Sequence, residues 1–275
     1  MQLIMTNDQR ISALIGQYAP AGRLGGGDIA DTFLLKSPQG KFVLKTGKHL
    51  PRGMFASEAY SLSLLATAGV SVPRVVAAED DYLLLEYLAA GERDDAAAGR
   101  MLARLHAKKA SQSGLDRNTF LATLLQNNTL SDAWADFYFN QRLLPVLERL
   151  PEYNAGEQAK WEKFFGKVAN LLAMVEPALL HGDLWAGNRY DAAQGPAFID
   201  PACYYGDPLI DIAMTKLFGG FGVDFYRAYA ELTPRRDAET ELVQIYQLYP
   251  LLVHAQLFAG GYYASAVRLR DIFLR

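Results

Sequence analysis

Three side chains with oxygen donors follow one another closely in a single segment of the 275-residue chain. Asn188 comes five residues after Asp183, and Asp200 comes twelve residues after Asn188. An offset of five also separates the hydroxyl-binding aspartate from the metal-binding asparagine in a general template for phosphoryl transfer. That reaction needs a carboxylate to orient the attacking hydroxyl and oxygen ligands for Mg²⁺. The spacing therefore predicts Asp183 as the catalytic group, with Asn188 and Asp200 as Mg²⁺ ligands.

A lysine and a glutamate upstream form a second candidate unit. Lys45 lies in an apolar stretch that reads as a strand, and Glu58 shares the inward stripe of a predicted helix with Leu62 and Leu65. A carboxylate on a buried stripe is costly unless it is paired. We therefore expect a Lys45–Glu58 pair in which the lysine binds the α- and β-phosphates of a nucleotide. The alternative is an isolated strand lysine that points into solvent.

Two backbone segments are candidates for the rest of a nucleotide site. Gly25, Gly26 and Gly27 form a turn whose N–H groups can lie over phosphates without obstruction by side chains. Glu86 and Leu88 end an apolar strand, and we expect their backbone groups to bind an adenine edge. A plain tight turn and a plain core strand are the respective alternatives.

Further residues near the first segment have less direct roles. His181 and Asp211 are expected to support the loop by hydrogen bonds rather than to react. Trp185 lies inside the loop, where its flat face suits either a sugar ring or packing between lobes. Cys203 is expected to be a small packing residue, because no cationic side chain lies beside it in the sequence.

The hydrophobic pattern predicts two regions of different character. The first region contains a helix and a five-stranded sheet, and its clearest elements are strands at Asp31–Lys36, Lys41–Thr46, Val75–Ala78 and Tyr82–Tyr87 and a helix at Phe55–Ala68. The later region is mostly helical, with predicted helices at Asp94–Lys109, Trp134–Leu150, Glu157–Val175, Leu209–Leu217, Phe225–Leu232, Ala238–Leu248 and Leu251–Leu274. We expect polar loops at 112–118 and 127–132. The change near Leu88 predicts an N-terminal nucleotide-binding lobe over 1–88 and a C-terminal catalytic and substrate-binding lobe over 89–275.

Composition limits the class of protein. Hydrophobic residues make up 51% and charged residues 21% of the chain, which is typical of a folded globular protein. The net charge of −3 gives no strong attraction to nucleic acid or anionic lipid. One cysteine excludes an internal disulfide framework, and residues 1–10 lack the features of a signal peptide. We expect a cytoplasmic monomer that binds neither nucleic acid nor membrane.

These motifs resemble the fructosamine (ketosamine) kinase family, whose wider relatives are the aminoglycoside and choline kinases. The resemblance rests on His-Gly-Asp-Leu-Trp-Ala-Gly-Asn at 181–188, Asp-Pro-Ala-Cys-Tyr-Tyr-Gly-Asp at 200–207 and Leu-Phe-Gly-Gly-Phe at 217–221. It implies a bilobal, protein-kinase-like α+β fold with a five-stranded antiparallel sheet and one helix in the N-terminal lobe. It also implies ATP and Mg²⁺ as cofactors and phosphorylation of a sugar hydroxyl in a fructosamine- or ribulosamine-type adduct, on a small molecule or a glycated protein, as a step of deglycation.

Two other functions stay open at this point. An aminoglycoside- or amino-alcohol-type kinase binds cationic acceptors, which favour acidic residues in the acceptor cleft, and Asp207 and Asp211 permit this; Asp207 is therefore also a candidate substrate contact. A nucleotide-binding regulatory module without turnover is the second alternative. The complete set of Lys45, Glu58 and the three residues of the first segment argues against that module, because binding alone does not need all five.

Overall fold

The computed structural model describes residues 6–25, 29–173 and 175–275. Its first part is a five-stranded antiparallel sheet in the order β1-β2-β3-β5-β4, with one helix before it and one inserted after its third strand. The elements are α1 (Asn7–Ile15), β1 (Ala19–Arg23), β2 (Asp31–Ser37), β3 (Gly40–Thr46), α2 (Met54–Thr67), β4 (Val75–Ala78) and β5 (Tyr82–Glu86). The predicted sheet and the predicted helix at 55–68 are thus confirmed. The helix before the sheet was not predicted.

The alternation of β3 decides which side chains face each helix. Phe42 packs in a cluster with Ile11 and Ile15 of α1, whereas Val43 packs on the other face with Phe55 and Leu62 of α2. Since successive side chains of a strand point to opposite faces, Lys45 lies on the same face as Val43. The lysine is therefore directed toward α2.

The second part is mostly helical and contains one large hydrophobic core. Its elements are α3 (Asp95–His106), β6 (Thr119–Leu121), β7 (Leu124–Gln126), α4 (Trp134–Tyr138), α5 (Leu144–Leu147), α6 (Ala155–Val168), β8 (Ala178–Leu179), β9 (Arg189–Ala192), β10 (Gly195–Phe198), β11 (Tyr205–Gly206), α7 (Leu209–Phe218), α8 (Val223–Ala230), α9 (Glu239–Tyr246), α10 (Leu248–Phe258) and α11 (Tyr262–Leu274). The α+β fold class is confirmed.

Several predicted elements differ from the observed ones. The predicted helix over 251–274 is wrong, because α10 and α11 are separate helices that meet at a turn. Ala259 and Gly260 in that turn have φ of +54° and +73°, which a continuous right-handed helix does not allow. The helix predicted at 134–150 contains a π-helical segment, Phe139–Leu143, between α4 and α5. The predicted polar loops flank a short hairpin, β6–β7, that was not predicted.

The chain after β5 is attached to the helical part. The Gly91 N–H donates to the Asp191 carbonyl at 2.8 Å, and the Ala193 N–H donates to the Ala89 carbonyl at 2.8 Å. These bonds fix the connection to the β9–β10 hairpin, while the division into lobes at 88/89 stays a prediction. Among the described residues, no helix is both long and apolar enough to cross a membrane.

Candidate active site

A residue of α7 fixes the loop that precedes β9 by hydrogen bonds. The buried carboxylate of Asp211 accepts the N–H groups of His181 at 2.8 Å and Gly182 at 2.9 Å. Burial opposes its charge, but the hydrogen bonds from His106 and from the Gly182 N–H outweigh burial and lower the pKa of Asp211. Gly182 has φ of +83°, and a β-carbon there would collide with the Ala202 carbonyl oxygen. The predicted supporting role of Asp211 is confirmed.

His181 joins this loop to the chain after β10. Its Nε2 donates to the Ile199 carbonyl at 3.0 Å, and its Nδ1 accepts the Asp183 N–H at 3.2 Å. Burial lowers the pKa of His181, which matches a neutral ring with one donor and one acceptor nitrogen. The His181 carbonyl also accepts the Ala202 N–H at 2.8 Å. Both ring nitrogens are thus engaged in structural bonds, as expected.

Asp183 and Asn188 are hydrogen-bonded to each other within the loop. The Asn188 side-chain nitrogen donates to the Asp183 carbonyl at 2.8 Å and to Asp183 Oδ2 at 3.0 Å. Burial and the neighbouring Asp200 carboxylate raise the pKa of Asp183 well above its ordinary value. A carboxyl with a raised pKa accepts a proton more readily near neutral pH.

The remaining oxygens fit a magnesium ion. The two hydrogen bonds of Asn188 use its amide nitrogen and leave Oδ1 for a cation, and Asp200, which is 41% exposed, supplies a carboxylate. No cage of three or more His, Cys, Asp or Glu side chains occurs in the described part of the chain. Mg²⁺ needs no such cage, because it keeps waters and binds substrate phosphates. One amide and one carboxylate therefore suit Mg²⁺ better than Zn²⁺.

Lys45 connects three parts of the fold. Its ammonium donates to Glu58 Oε1 at 2.6 Å and also to Asp200 Oδ1. Burial opposes the charge, but the Asp200 and Glu58 carboxylates outweigh it and raise the pKa of Lys45, while burial raises the pKa of Glu58. The predicted Lys45–Glu58 pair is present, and its contact with Asp200 was not predicted.

One cavity of about 480 Å³ is lined by half of the predicted site residues. Its charged and polar lining residues include Lys45, Glu58, Asp183, Asn188 and Asp200. Ile29, Ala30 and Thr32, which follow the glycine turn, also line it.

Trp185 lines the same cavity and is 42% exposed. A β-carbon on Gly187 would collide with the indole ring. Glycine at 187 therefore leaves space for the indole ring in the cavity that Asp183 also lines. A face that is this exposed is available to a ligand.

Other predicted residues lie apart from the cavity lining. Gly25 is exposed and does not line the cavity, and neither do Glu86 and Leu88. The Glu86 N–H donates to the Arg74 carbonyl at 2.9 Å, and the Leu88 carbonyl accepts the Tyr190 hydroxyl at 3.0 Å. Gly26 and Gly27 lie outside the described residues.

The position of Asp207 does not favour a substrate contact. Its side chain is completely buried and accepts two hydrogen bonds from Arg236, at 2.6 and 2.5 Å. It also accepts the Tyr246 hydroxyl at 2.6 Å and the Leu209 N–H at 3.0 Å. These partners use both carboxylate oxygens, so Asp207 holds the start of α7 rather than a ligand.

Several further lining residues were not predicted as part of the site, among them four aromatic residues of α7, α10 and α11. Phe218 ends α7, His254 and Phe258 lie on α10, and Tyr262 begins α11. His254, Phe258 and Tyr262 show only helical apolar spacing in the sequence, whereas Phe218 belongs to the motif at 217–221, which indicated the family but not a role in the site. His254 Nδ1 donates to the Pro250 carbonyl at 2.8 Å, because a carbonyl oxygen can only accept.

The sheet, the Lys45–Glu58 pair and the loop of Asp183 and Asn188 together define a phosphotransferase of the protein-kinase-like fold. The fructosamine kinase family model matches residues 4–275. The chain belongs to this family.

Individual relatives cover nearly the whole chain. A probable ketoamine kinase of Enterococcus faecium is 35% identical over 258 residues, which are 90% of this chain and 93% of the relative. The chloroplastic protein-ribulosamine 3-kinase of Arabidopsis thaliana is 34% identical over 275 aligned residues, covering 94% and 84% of the two chains. A solved structure of a candidate fructosamine-3-kinase of Thermobifida fusca superposes with a TM-score of 0.88 at 29% identity, covering 98% and 99%. An aminoglycoside phosphotransferase with 15% identity and a TM-score of 0.63, covering 97% and 96%, shares the fold.

Proposed function

We propose that this chain is an ATP-dependent ketosamine kinase that phosphorylates a sugar hydroxyl of a fructosamine- or ribulosamine-type adduct. The observation that carries the proposal is the convergence of Lys45, Glu58, Asp183, Asn188 and Asp200 on one cavity. A ribulosamine kinase and ketoamine kinases among the relatives support the choice of acceptor.

Asp183 is the proposed group that holds the acceptor hydroxyl. Its carboxylate accepts a hydrogen bond from that hydroxyl and takes the proton as the oxygen bonds to the γ-phosphorus and ADP departs. The raised pKa of Asp183, caused by burial and by Asp200, favours this proton uptake. Most of the rate enhancement comes from positioning, because phosphoryl transfer requires little covalent chemistry from the protein.

Lys45 is the proposed phosphate ligand at the nucleotide end. Glu58 and Asp200 fix its ammonium, so the charge is oriented before the nucleotide binds. Asn188 and Asp200 would hold Mg²⁺, which supplies neutralisation of phosphate charge when bound. Phosphate contacts from the backbone of Gly25, Gly26 and Gly27 remain predictions.

Adenine binding, cellular location and oligomeric state are also predictions. Backbone contacts of Glu86 and Leu88 with adenine are predicted from the strand that they end. A cytoplasmic location and a monomeric state are likewise expectations from the composition.

Trp185 and His254 are the proposed sugar contacts. The exposed indole ring offers a flat apolar face beside Asp183, and sugar rings have apolar C–H faces that suit it. His254 Nδ1 is occupied by the Pro250 carbonyl, which leaves Nε2 as the ring nitrogen available to a sugar hydroxyl.

A coupled ATP-consumption screen tests the proposed function. The acceptors are ketosamines of fructose and ribulose, free sugars, aminoglycosides and a blank without acceptor. We expect turnover with at least one ketosamine at a rate far above the blank. Turnover with aminoglycosides alone would indicate an aminoglycoside kinase instead. Nucleotide binding without any turnover would indicate a regulatory module.

The Trp185→Ala variant tests the acceptor end separately. We expect it to raise the KM for the ketosamine severalfold and to leave the KM for ATP nearly unchanged. Equal effects on the two KM values would instead assign the indole ring to packing.

A further inference from the structure

Part of the cavity is lined by an aromatic wall, which consists of Phe218, His254, Phe258 and Tyr262. The ring of His254 lies at the centre of this group. Its centroid is 4.8 Å from that of Phe218, 5.5 Å from that of Phe258 and 5.1 Å from that of Tyr262. The rings thus form one continuous surface contributed by α7, α10 and α11.

The wall is partly open to solvent at Phe258. This ring is 47% exposed even though it belongs to a cavity that also contains the catalytic Asp183. Single exposed apolar residues are common, but this one is continuous with three other rings and with the proposed reaction site. Its free face is therefore positioned to meet a bound acceptor.

The turn between α10 and α11 places Phe258 and Tyr262 on the same wall, and its backbone conformation is strained. They flank the turn between α10 and α11, where Ala259 has φ of +54° and ψ of −141°. A residue with a β-carbon rarely adopts this conformation, and such outliers are found preferentially at functional sites. The far end of α11 is fixed by the buried Arg270, which donates to Glu157 on α6 at 2.6 Å.

The distribution of charge indicates which part of an acceptor meets the wall. Within the described part of the chain, the carboxylates that line the cavity are Glu58, Asp183 and Asp200, and none lies on the aromatic wall. The charged groups therefore suit phosphates, Mg²⁺ and the reacting hydroxyl, whereas the wall suits apolar groups. In a ketosamine, the substituent on nitrogen is the part whose polarity varies independently of the sugar.

We propose that the rings of Phe218, Phe258 and Tyr262 in the aromatic wall are a subsite for the nitrogen substituent of the ketosamine, selective for apolar and aromatic substituents, with Phe258 as the main specificity-determining residue and with His254 at its border with the sugar. The subsite rests on the proposed function, because it requires the sugar hydroxyl to lie at Asp183. The subsite adds a preference among nitrogen substituents, which the catalytic residues alone do not determine.

Two acceptors with the same sugar test the subsite, namely the fructosamines of benzylamine and methylamine. The wild-type protein should show a KM about tenfold lower for the benzyl compound, as expected when part of a phenyl ring leaves water. Phe258→Ala should reduce this ratio to about twofold or less by raising the KM for the benzyl compound, with the KM for ATP and the melting temperature unchanged. Phe258→Tyr should keep the ratio, because it retains the ring face.

Ile272→Ala is the matched control. Ile272 is 49% exposed on α11 and does not line the cavity, so its truncation should leave the ratio at the wild-type value. Equal KM values for the two acceptors in the wild-type protein, or an equal rise of both in Phe258→Ala, would overturn the subsite while the kinase assignment stands. Failure of the wild-type protein to phosphorylate any ketosamine would overturn both.

Discussion

Lys45 and Asp200 lie 155 positions apart in the sequence and form an ion pair inside the cavity. The same ammonium donates to Glu58, so the third strand of the sheet, the helix packed on it and the chain after β10 are fixed to one another through a single side chain. Asp200 thus orients the lysine, and in the proposed mechanism it would also hold Mg²⁺.

Loss of Lys45 should destabilise the fold as well as abolish turnover. Lys45→Met leaves Glu58, whose side chain is only 14% exposed, without a cation, and breaking a buried pair costs about 3 kcal/mol or more. The double variant Lys45→Met/Glu58→Leu should recover most of that loss, because apolar side chains can replace a buried pair. Urea unfolding of the two single variants and the double variant measures this coupling. Strictly additive effects would contradict a direct interaction.

His181 should lower the free energy of unfolding as the pH falls from 7 to 5.5, and this contribution is the difference in slope between the wild-type protein and His181→Gln. The comparison is needed because the raised pKa of Asp183 acts in the opposite direction. Burial lowers the pKa of His181 in the folded protein, so the unfolded chain binds the proton first as the pH falls through about 6.5. The stabilising contribution of neutral His181 is complete above that pH and is lost below it. The free energy of unfolding then changes by at most about 1.4 kcal/mol per pH unit. Denaturant unfolding at both pH values gives the slope. The same slope in His181→Gln would assign the effect to other groups.

Cys203 should be unreactive in the folded protein. Its side chain is fully buried, burial raises the pKa of its thiol, and Sγ lies 3.7 Å from the Ser61 carbonyl oxygen. We expect no reaction with Ellman's reagent under native conditions and one equivalent of thiol in urea, since the chain has a single cysteine. Fast native modification at a rate independent of unfolding would show that the thiol is accessible.

Much of the first part of the fold could be predicted from local pattern. The hairpin of β2 and β3 has its turn at Ser37–Gly40, and α2 lies within one residue of the predicted helix, because short strands and glycine stops leave clear signals. The Lys45–Glu58 pair was predictable because an isolated buried carboxylate is costly. Neither inference required knowledge of the tertiary structure.

The acceptor side of the site was less predictable, because residues distant in sequence form it. Phe218 and Tyr262 reach the same cavity from different helices, and their spacing reads as ordinary core. The helical spacing of apolar residues continues through Ala259, so one helix was predicted where two exist. The neighbouring glycines Gly260 and Gly261 are typical of a helix end and could have indicated the break. Asp207 was considered as a substrate contact because its sequence does not reveal Arg236 and Tyr246 as partners.

Glycine at position 259 should stabilise the protein. Ala259 has a positive φ that costs about 1–3 kcal/mol for a residue with a β-carbon, and glycine removes this cost against a smaller entropic loss. We expect Ala259→Gly to raise the free energy of unfolding by about 1 kcal/mol. Ala264→Gly, at an exposed position inside α11, is the control and should lower it by about 1 kcal/mol. A similar loss in both variants would show that the turn is unstrained.

We propose that Asp183 takes the proton of a sugar hydroxyl during phosphoryl transfer from ATP. Single-turnover phosphorylation of a ketosamine by Asp183→Asn tests this role directly, alongside ATP binding by calorimetry and the exposed control Asp237→Asn. We predict that Asp183→Asn lowers the rate at least about 100-fold, that its Kd for ATP stays within about twofold of the wild-type value, and that the control is unaffected. Transfer by Asp183→Asn at a rate near that of the wild-type protein would contradict the claim.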